Sequence, residues 1–193
     1  MALTQGHEVI CCDRNRRGGL KNIWLMDSET FLSSDPVEAN NVYSSFPGSS
    51  AYKFDFDRYT GGFTANASRE NGSTVVDVEL SFYIPKVTAE VNERLDELAS
   101  TCGLFACVET YADDCGGSSG GTPETYKFIL GYDEIFKEDS YLDFRSGEEA
   151  TGVALQDANG AQVTLGGNAA MFPLGYSGTI TASGTATEAY TFA

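Results

Sequence analysis

The sequence predicts a mainly β domain of α+β type: an antiparallel β-sandwich with barrel-forming sheets, one flanking α-helix, a long N-terminal loop and a C-terminal arm. Three observations carry this. Segments of alternating apolar and polar residues recur along the chain, the dipeptide Asn71-Gly72 sits between two of them, and a single stretch, residues 88–99, has helical spacing. One helix among seven or eight candidate strands leaves sheet-on-sheet packing as the way to bury the apolar faces.

Residues 1–51 read as an N-terminal arm and a long loop that reaches a neighbouring subunit. Within them only Asn22-Ile23-Trp24-Leu25-Met26 reads as a short strand, and a polar stretch with Pro36, Pro47 and Gly48 follows. Loops beyond about 15 residues in compact domains tend to carry function. Regular structure is expected from Tyr52, where Tyr52, Phe54 and Phe56 alternate with Lys53, Asp55 and Asp57 as in a half-buried strand. Gly61-Gly62 breaks it. Residues 63–70 and 74–84 then form a hairpin, because Asn-Gly accepts the positive φ angles of a tight primed turn. Its second strand puts Val76, Val78, Leu80, Phe82 and Ile84 on one face and Asp77, Glu79, Ser81 and Tyr83 on the other. At about 3.3 Å per residue that strand spans about 36 Å. Hairpins of this length wall barrels and tubes, and they also occur in ordinary sandwiches with a solvated outer face.

Pro85 ends the strand. In the helix at 88–99, Val91, Leu95 and Leu98 share one face while Glu90, Glu93, Arg94, Asp96 and Glu97 take the other, and Gly103 follows as a stop. Residues 104–111 and 125–132 read as paired strands around the flexible run 116–121. A second Asn-Gly, Asn159-Gly160, is flanked by candidate strands at 152–157 and 161–165. The sandwich domain therefore covers residues 52–175, and residues 176–193, rich in Gly, Thr, Ala and Ser, form an edge strand or a terminal arm.

The chain has 193 residues, a length at which one domain buries roughly 70% of its unfolded surface. With 41% hydrophobic residues it is too apolar to be disordered. Its 12 Lys and Arg against 28 Asp and Glu leave a net charge of -16, which argues against gripping the outside of a nucleic acid, where a basic face gains from counterion release. The charge is unevenly spread. Residues 1–21 carry Arg14, Arg16, Arg17 and Lys21 against Glu8 and Asp13, or +2, so the remainder carries -18. The arginine cluster reads as a solvated loop or as a docking contact to an acidic neighbouring copy. No signal region is visible, and no stretch approaches the ~18 apolar residues of a membrane helix, so the protein is expected to be made and kept in the cytoplasm with no membrane partner. The five cysteines, Cys11, Cys12, Cys102, Cys107 and Cys115, are an odd number without the spacing of a secreted disulfide scaffold.

Signatures of enzyme chemistry fail in turn. His7 is the sole histidine and no motif places a nucleophile beside it. The run beginning at Asp13 starts like a calcium loop, but Arg17 and Trp24 occupy its fifth and twelfth positions, where oxygen ligands belong. Cys102, Cys107 and Cys115 match no common zinc spacing, and Cys107 shares a strand side with Phe105, as a small buried thiol would. The glycine run lacks the Lys-Ser or Lys-Thr of a phosphate-binding loop. Acid pairs such as Asp113-Asp114, Asp133-Glu134 and Glu148-Glu149 read as solvated loops. No catalytic residue, cofactor or metal site is therefore expected.

The order of elements is a long loop, an alternating strand, a long Asn-Gly-Ser hairpin, one helix, then further strands and an arm. With the segment Gly62-Phe63-Thr64-Ala65-Asn66-Ala67-Ser68-Arg69-Glu70-Asn71-Gly72-Ser73-Thr74-Val75-Val76, continued by Leu80-Ser81-Phe82-Tyr83-Ile84-Pro85-Lys86, it resembles the tail-tube (major tail) proteins of tailed bacteriophages. The segment looks like that of virion proteins from phages of Bacteroidetes, and the resemblance spans about residues 52–165. It implies a structural virion protein rather than an enzyme, assembled in the host cytoplasm into the phage tail. Six copies would close into a ring with a shared β-barrel as inner wall, and rings would stack into a tube for genome passage. The implied partners are further copies of the chain, other tail proteins and double-stranded DNA in transit. Under the resemblance, Glu70, Asp77, Glu79 and Ser81 line the lumen, while Arg14, Arg16, Arg17, Lys21 and the loop at 27–50 make contacts between rings. A terminator, connector ring or baseplate protein of the same fold is the nearest alternative, and a carbohydrate-binding β-sandwich is a more distant one.

Overall fold

A strand with apolar residues on both faces has to lie between two cores, and two such strands organise this molecule. The computed structural model describes residues 18–28, 36–46, 51–70, 72–111, 126–152, 157–182 and 189–192, with only the backbone at 70, 138 and 189. Along the chain run β1 (Leu20–Asp27), β2 (Val37–Ala39), β3 (Val42–Ser45), β4 (Ala51–Phe54), β5 (Gly62–Glu70), β6 (Ser73–Pro85), α1 (Ala89–Ser100), β7 (Leu104–Thr110), β8 (Lys127–Leu130), β9 (Asp143–Ala150), β10 (Gly160–Ala169), β11 (Gly175–Tyr176), β12 (Ile180–Ala182) and β13 (Ala189–Phe192). They form a nine-stranded sheet, ordered β12-β13-β4-β1-β7-β8-β11-β3-β2, and a four-stranded sheet, ordered β5-β6-β10-β9. The mainly β sandwich with one helix is as the sequence predicts.

The first core lies between the sheets. Leu20, Ile23, Leu25, Ala106 and Val108 of the larger sheet meet Val76, Val78, Leu80, Phe82, Val163 and Leu165 of the smaller. The alternation of β6 sorts its residues as predicted, with every second side chain buried. Helix α1 starts where Thr88 accepts a hydrogen bond from the Val91 amide on its Oγ1, one residue later than the predicted start. It buries Leu98 and lays Val91 and Leu95 against the same core.

The second core lies on the far side of the larger sheet, where Trp24, Met26, Phe105, Cys107 and Ile129 are covered by Tyr43, Phe46, Tyr132, Tyr176 and Phe192. Tyr176 and Phe192 belong to strands near opposite ends of the sheet order, yet their rings are 5.3 Å apart. The sheet therefore curls until its two flanks meet, and both faces are dry over residues 23–26 of β1 and 104–109 of β7.

Two expectations change, and at the C-terminus one of two open readings holds. Residues 1–51 are not simply an arm: β1 is a central strand, and the stretch read as an inter-subunit loop contributes β2, β3 and the wholly buried Tyr43 and Phe46. The apolar run Trp24-Leu25-Met26 carried that information, since buried strands are apolar on both faces. Asn159-Gly160 is not a hairpin turn. Gly160 opens β10, where an added Cβ would strike the Ile84 carbonyl and the Tyr83 ring, and the Asn159 side chain accepts from the Val87 amide at 2.9 Å. The partner of β10 is β9, a strand the sequence reading passed over, while residues 153–156 lie outside the described residues. At the C-terminus, β13 pairs with β4, so this segment is an edge of the chain's own sheet.

Phe82→Ala, in the middle of the first core, is expected to cost about 3–5 kcal/mol. Tyr52→Ala, at a side chain 51% exposed, is expected to stay within about 0.5 kcal/mol of wild type. Urea unfolding of the two variants checks the contrast.

Candidate functional site

The four-stranded sheet spends one face on the first core and leaves the other free. Its polar face follows from register. Strand β6 offers Asp77, Glu79, Ser81 and Tyr83, and β5 places Asn66 opposite Asp77 and Thr64 opposite Glu79. On the other flank β10 sets Asn168 opposite Asp77, Thr164 opposite Ser81 and Gln162 opposite Tyr83. Strand β9 completes the face with Glu148 opposite Gln162 and Ser146 opposite Thr164. Polar residues thus occupy the outward positions of all four strands, and the hairpin turn is met by Gly72 at φ 86.

A cation crosses this face. Register slips between Thr164 and Leu165, so Arg145 is an extra residue in β9. Its guanidinium donates to Asp77 at 2.5 Å and lies 3.6 Å from Glu79. The hydrogen bond to Asp77 raises the Arg145 pKa, with the charges of Asp77, Glu79 and Asp143 adding to it. One strand, β10, separates β9 from the β6 backbone that bears Asp77, and glycine clears the way: a Cβ on Gly166 would collide with the guanidinium. The next residue, Gly167, lets the Tyr141 carbonyl approach on the inner side. Asp77, Glu79, Asp143 and Glu148 against Arg145 leave the described face at four acids less one base, or -3.

Of the predicted lumen residues, Asp77, Glu79 and Ser81 lie together on this face, and Glu70 takes the register position opposite Ser73 at the end of the hairpin. Arg145 was missed, although Leu142-Asp143-Phe144-Arg145 alternates as a strand should. Of the predicted inter-ring residues, Lys21 pairs with Glu109 at 3.2 Å. Arg14, Arg16 and Arg17 lie outside the described residues, as do His7, Cys11, Cys12, Cys115 and the glycine run 116–121. Cys107 is fully buried in the second core, where desolvation pushes its thiol pKa far up, and Cys102 is exposed.

Among the described residues the sheet also ends in two unpaired edges, β5 with nine residues and β9 with eight. Each neighbouring pair in the sheet is antiparallel, so β5 and β9 run in opposite directions. The face and these edges can therefore present charge to a bath and strands to a partner. No described helix is long and apolar enough to cross a membrane. No protein-family model, curated protein or solved structure matches the chain.

Arg145→Gln is expected to change stability by less than about 1 kcal/mol, as for exposed ion pairs generally. It should also make the face more negative by one charge per chain. Urea unfolding and native electrophoresis check the two halves.

Proposed function

We propose that the chain is a tail-tube subunit, a structural virion protein whose copies close into rings and stack into a channel for phage DNA. One observation carries the reading: a four-stranded antiparallel sheet with a polar, net-negative outer face and two edges of nearly equal length that no other described strand pairs. Such edges invite pairing with another chain. Because β5 and β9 run in opposite directions, β9 of one copy beside β5 of the next is again antiparallel, and any whole number of copies closes without changing the pairing pattern.

The dimensions support the reading. Six copies give 24 strands, which at about 4.8 Å spacing and about 40° tilt make a barrel about 48 Å across the backbone, or about 36 Å clear of side chains. That admits duplex DNA. Fixed negative charge on the wall repels phosphates, and Ser81, Thr164, Asn168 and Gln162 hold water between wall and polymer. Arg145 is the one base assigned to the described face, and its tie to Asp77 keeps it from acting as a free phosphate ligand. The wall therefore lets DNA slide without holding it.

Negative-stain microscopy of purified protein is expected to show rings and tubes. Persistent monomers would refute the proposal, and rings that never lengthen would favour a terminator or connector of the same fold. Asp77→Lys with Glu79→Lys, both on the exposed face, is expected to preserve assembly and to slow DNA ejection from particles carrying it. Unchanged ejection kinetics would remove the lumen assignment.

A further inference from the structure

The two edges of the smaller sheet are staggered along the strands. Thr164 and Ser81 bring Ser146 of β9 and Gly62 of β5 into one row across the four strands. From that row β9 continues one way, to Ala150, and β5 continues the other way, to Glu70. Only the rows of Gly62, Phe63 and Thr64 also hold residues of β9, namely Ser146, Phe144 and Asp143. A neighbouring copy set level along the strand direction would pair over that short overlap alone.

Sliding the next copy along its strands lengthens the junction, and the pleat restricts the slide. Side chains alternate between faces, so only an even offset keeps polar beside polar and core beside core. Offsets of four and six each cover all of β9, whereas two and eight leave part of it bare. An offset of six brings Asp143 opposite Glu70, acid to acid, and Phe144 opposite Arg69. An offset of four sets Ser146 opposite Asn66 on the polar face and Phe144 opposite Ala67 on the core face. Pairing β9 with a second β9 is poorer again. Asp143, Glu148 and Glu149 against Arg145 give that strand three acids less one base, or -2, while Arg69 and Glu70 cancel on β5.

The offset also sets the slope of a closed wall. Four residues at about 3.4 Å, taken over four strand spacings of about 4.8 Å, incline the strands by about 35° whatever the number of copies. That lies in the range typical of closed barrels, where an offset of two would give only about 20° and zero would leave the strands upright. The hand agrees. Glu70 and Ser73 flank a two-residue turn and so bond to each other. With the polar side chains of β6 toward the viewer and β6 rising, the chirality of L-residues then puts β5 on the right, and β9 on the left and higher. Each copy added at β9 steps upward along the strands, which makes them wind as a right-handed coil about the ring axis, the hand that strand twist favours.

We propose that β9 of one copy docks on β5 of the next at an offset of four residues, with Ser146 facing Asn66. The inference rests on the reading of the chain as a ring-forming subunit, and adds to it the register and slope of the junction.

Cysteine pairs at exposed positions of the two edges read that register. Ser146→Cys combined with Asn66→Cys probes an offset of four, with Ser68→Cys six, and with Thr64→Cys two. Within one chain β6 and β10 lie between these positions, beyond disulfide reach, so a link reports two copies. Wild type oxidised in parallel gives the background of its five cysteines, matching urea midpoints establish that the variants fold, and mass spectrometry of digests identifies the linked peptides. The 66–146 link is expected to form about tenfold faster than 68–146 or 64–146, because directly opposite residues lie about 5 Å apart and diagonal ones about 7–8 Å. A dominant 68–146, 64–146 or 146–146 link would overturn the register, as would rings in negative stain with no edge link in any variant. The 66–146 link in open chains without rings would uphold the junction while refuting ring closure, and neither links nor rings would refute both.

Discussion

Residues 23–26 of β1 and 104–109 of β7 have no face toward water, and the rest of the molecule is arranged around that constraint. A strand apolar on both sides has to be covered twice. One cover is the four-stranded sheet with helix α1, and the other is the larger sheet's own flanks, curled until Tyr176 meets Phe192. Because the flanks take the second task, the smaller sheet needs only one apolar face. Its other face is free to be polar, and among the described residues no element covers its two edges.

Much of this was legible in the sequence where one physical rule acted alone. The β5–β6 hairpin followed from alternation and Asn-Gly, and the helix from the spacing of Val91, Leu95 and Leu98, because half-buried elements print their period into the residue order. Where two rules overlapped, strands were shortened or missed. β1 is apolar without alternation and was read only as a short strand, β3 and the Phe46 that follows it bring two buried aromatics from a polar stretch, and β9 carries a bulge that breaks its period at Arg145. The candidate strand at 161–165 stopped short, yet β10 runs on through Gly166 and Gly167, where close approaches on either face exclude a side chain.

The candidate face was half legible for a related reason. Asp77, Glu79 and Ser81 share a strand, so period two groups them. Arg145 comes from a strand separated by 68 residues, and only sheet order brings its guanidinium to Asp77. Net charge by itself described a repulsive body. Register shows that the acids near Asp77 are partly neutralised in place by Arg145, which lowers the negative potential of this face without removing its sign.

The even number of strands in the smaller sheet has a consequence for size. In the ring closure proposed above, antiparallel pairing would admit copies only as whole sheets, so circumference would be quantised. Each added copy brings four strands, which at about 4.8 Å spacing and about 40° tilt widen a closed wall by about 8 Å. A lineage carrying this sheet could not adjust its bore gradually by inserting a strand, since a fifth would leave one junction in every copy parallel. Bore changes would have to come as changes in copy number, set by the angle at which one β9 meets the next β5.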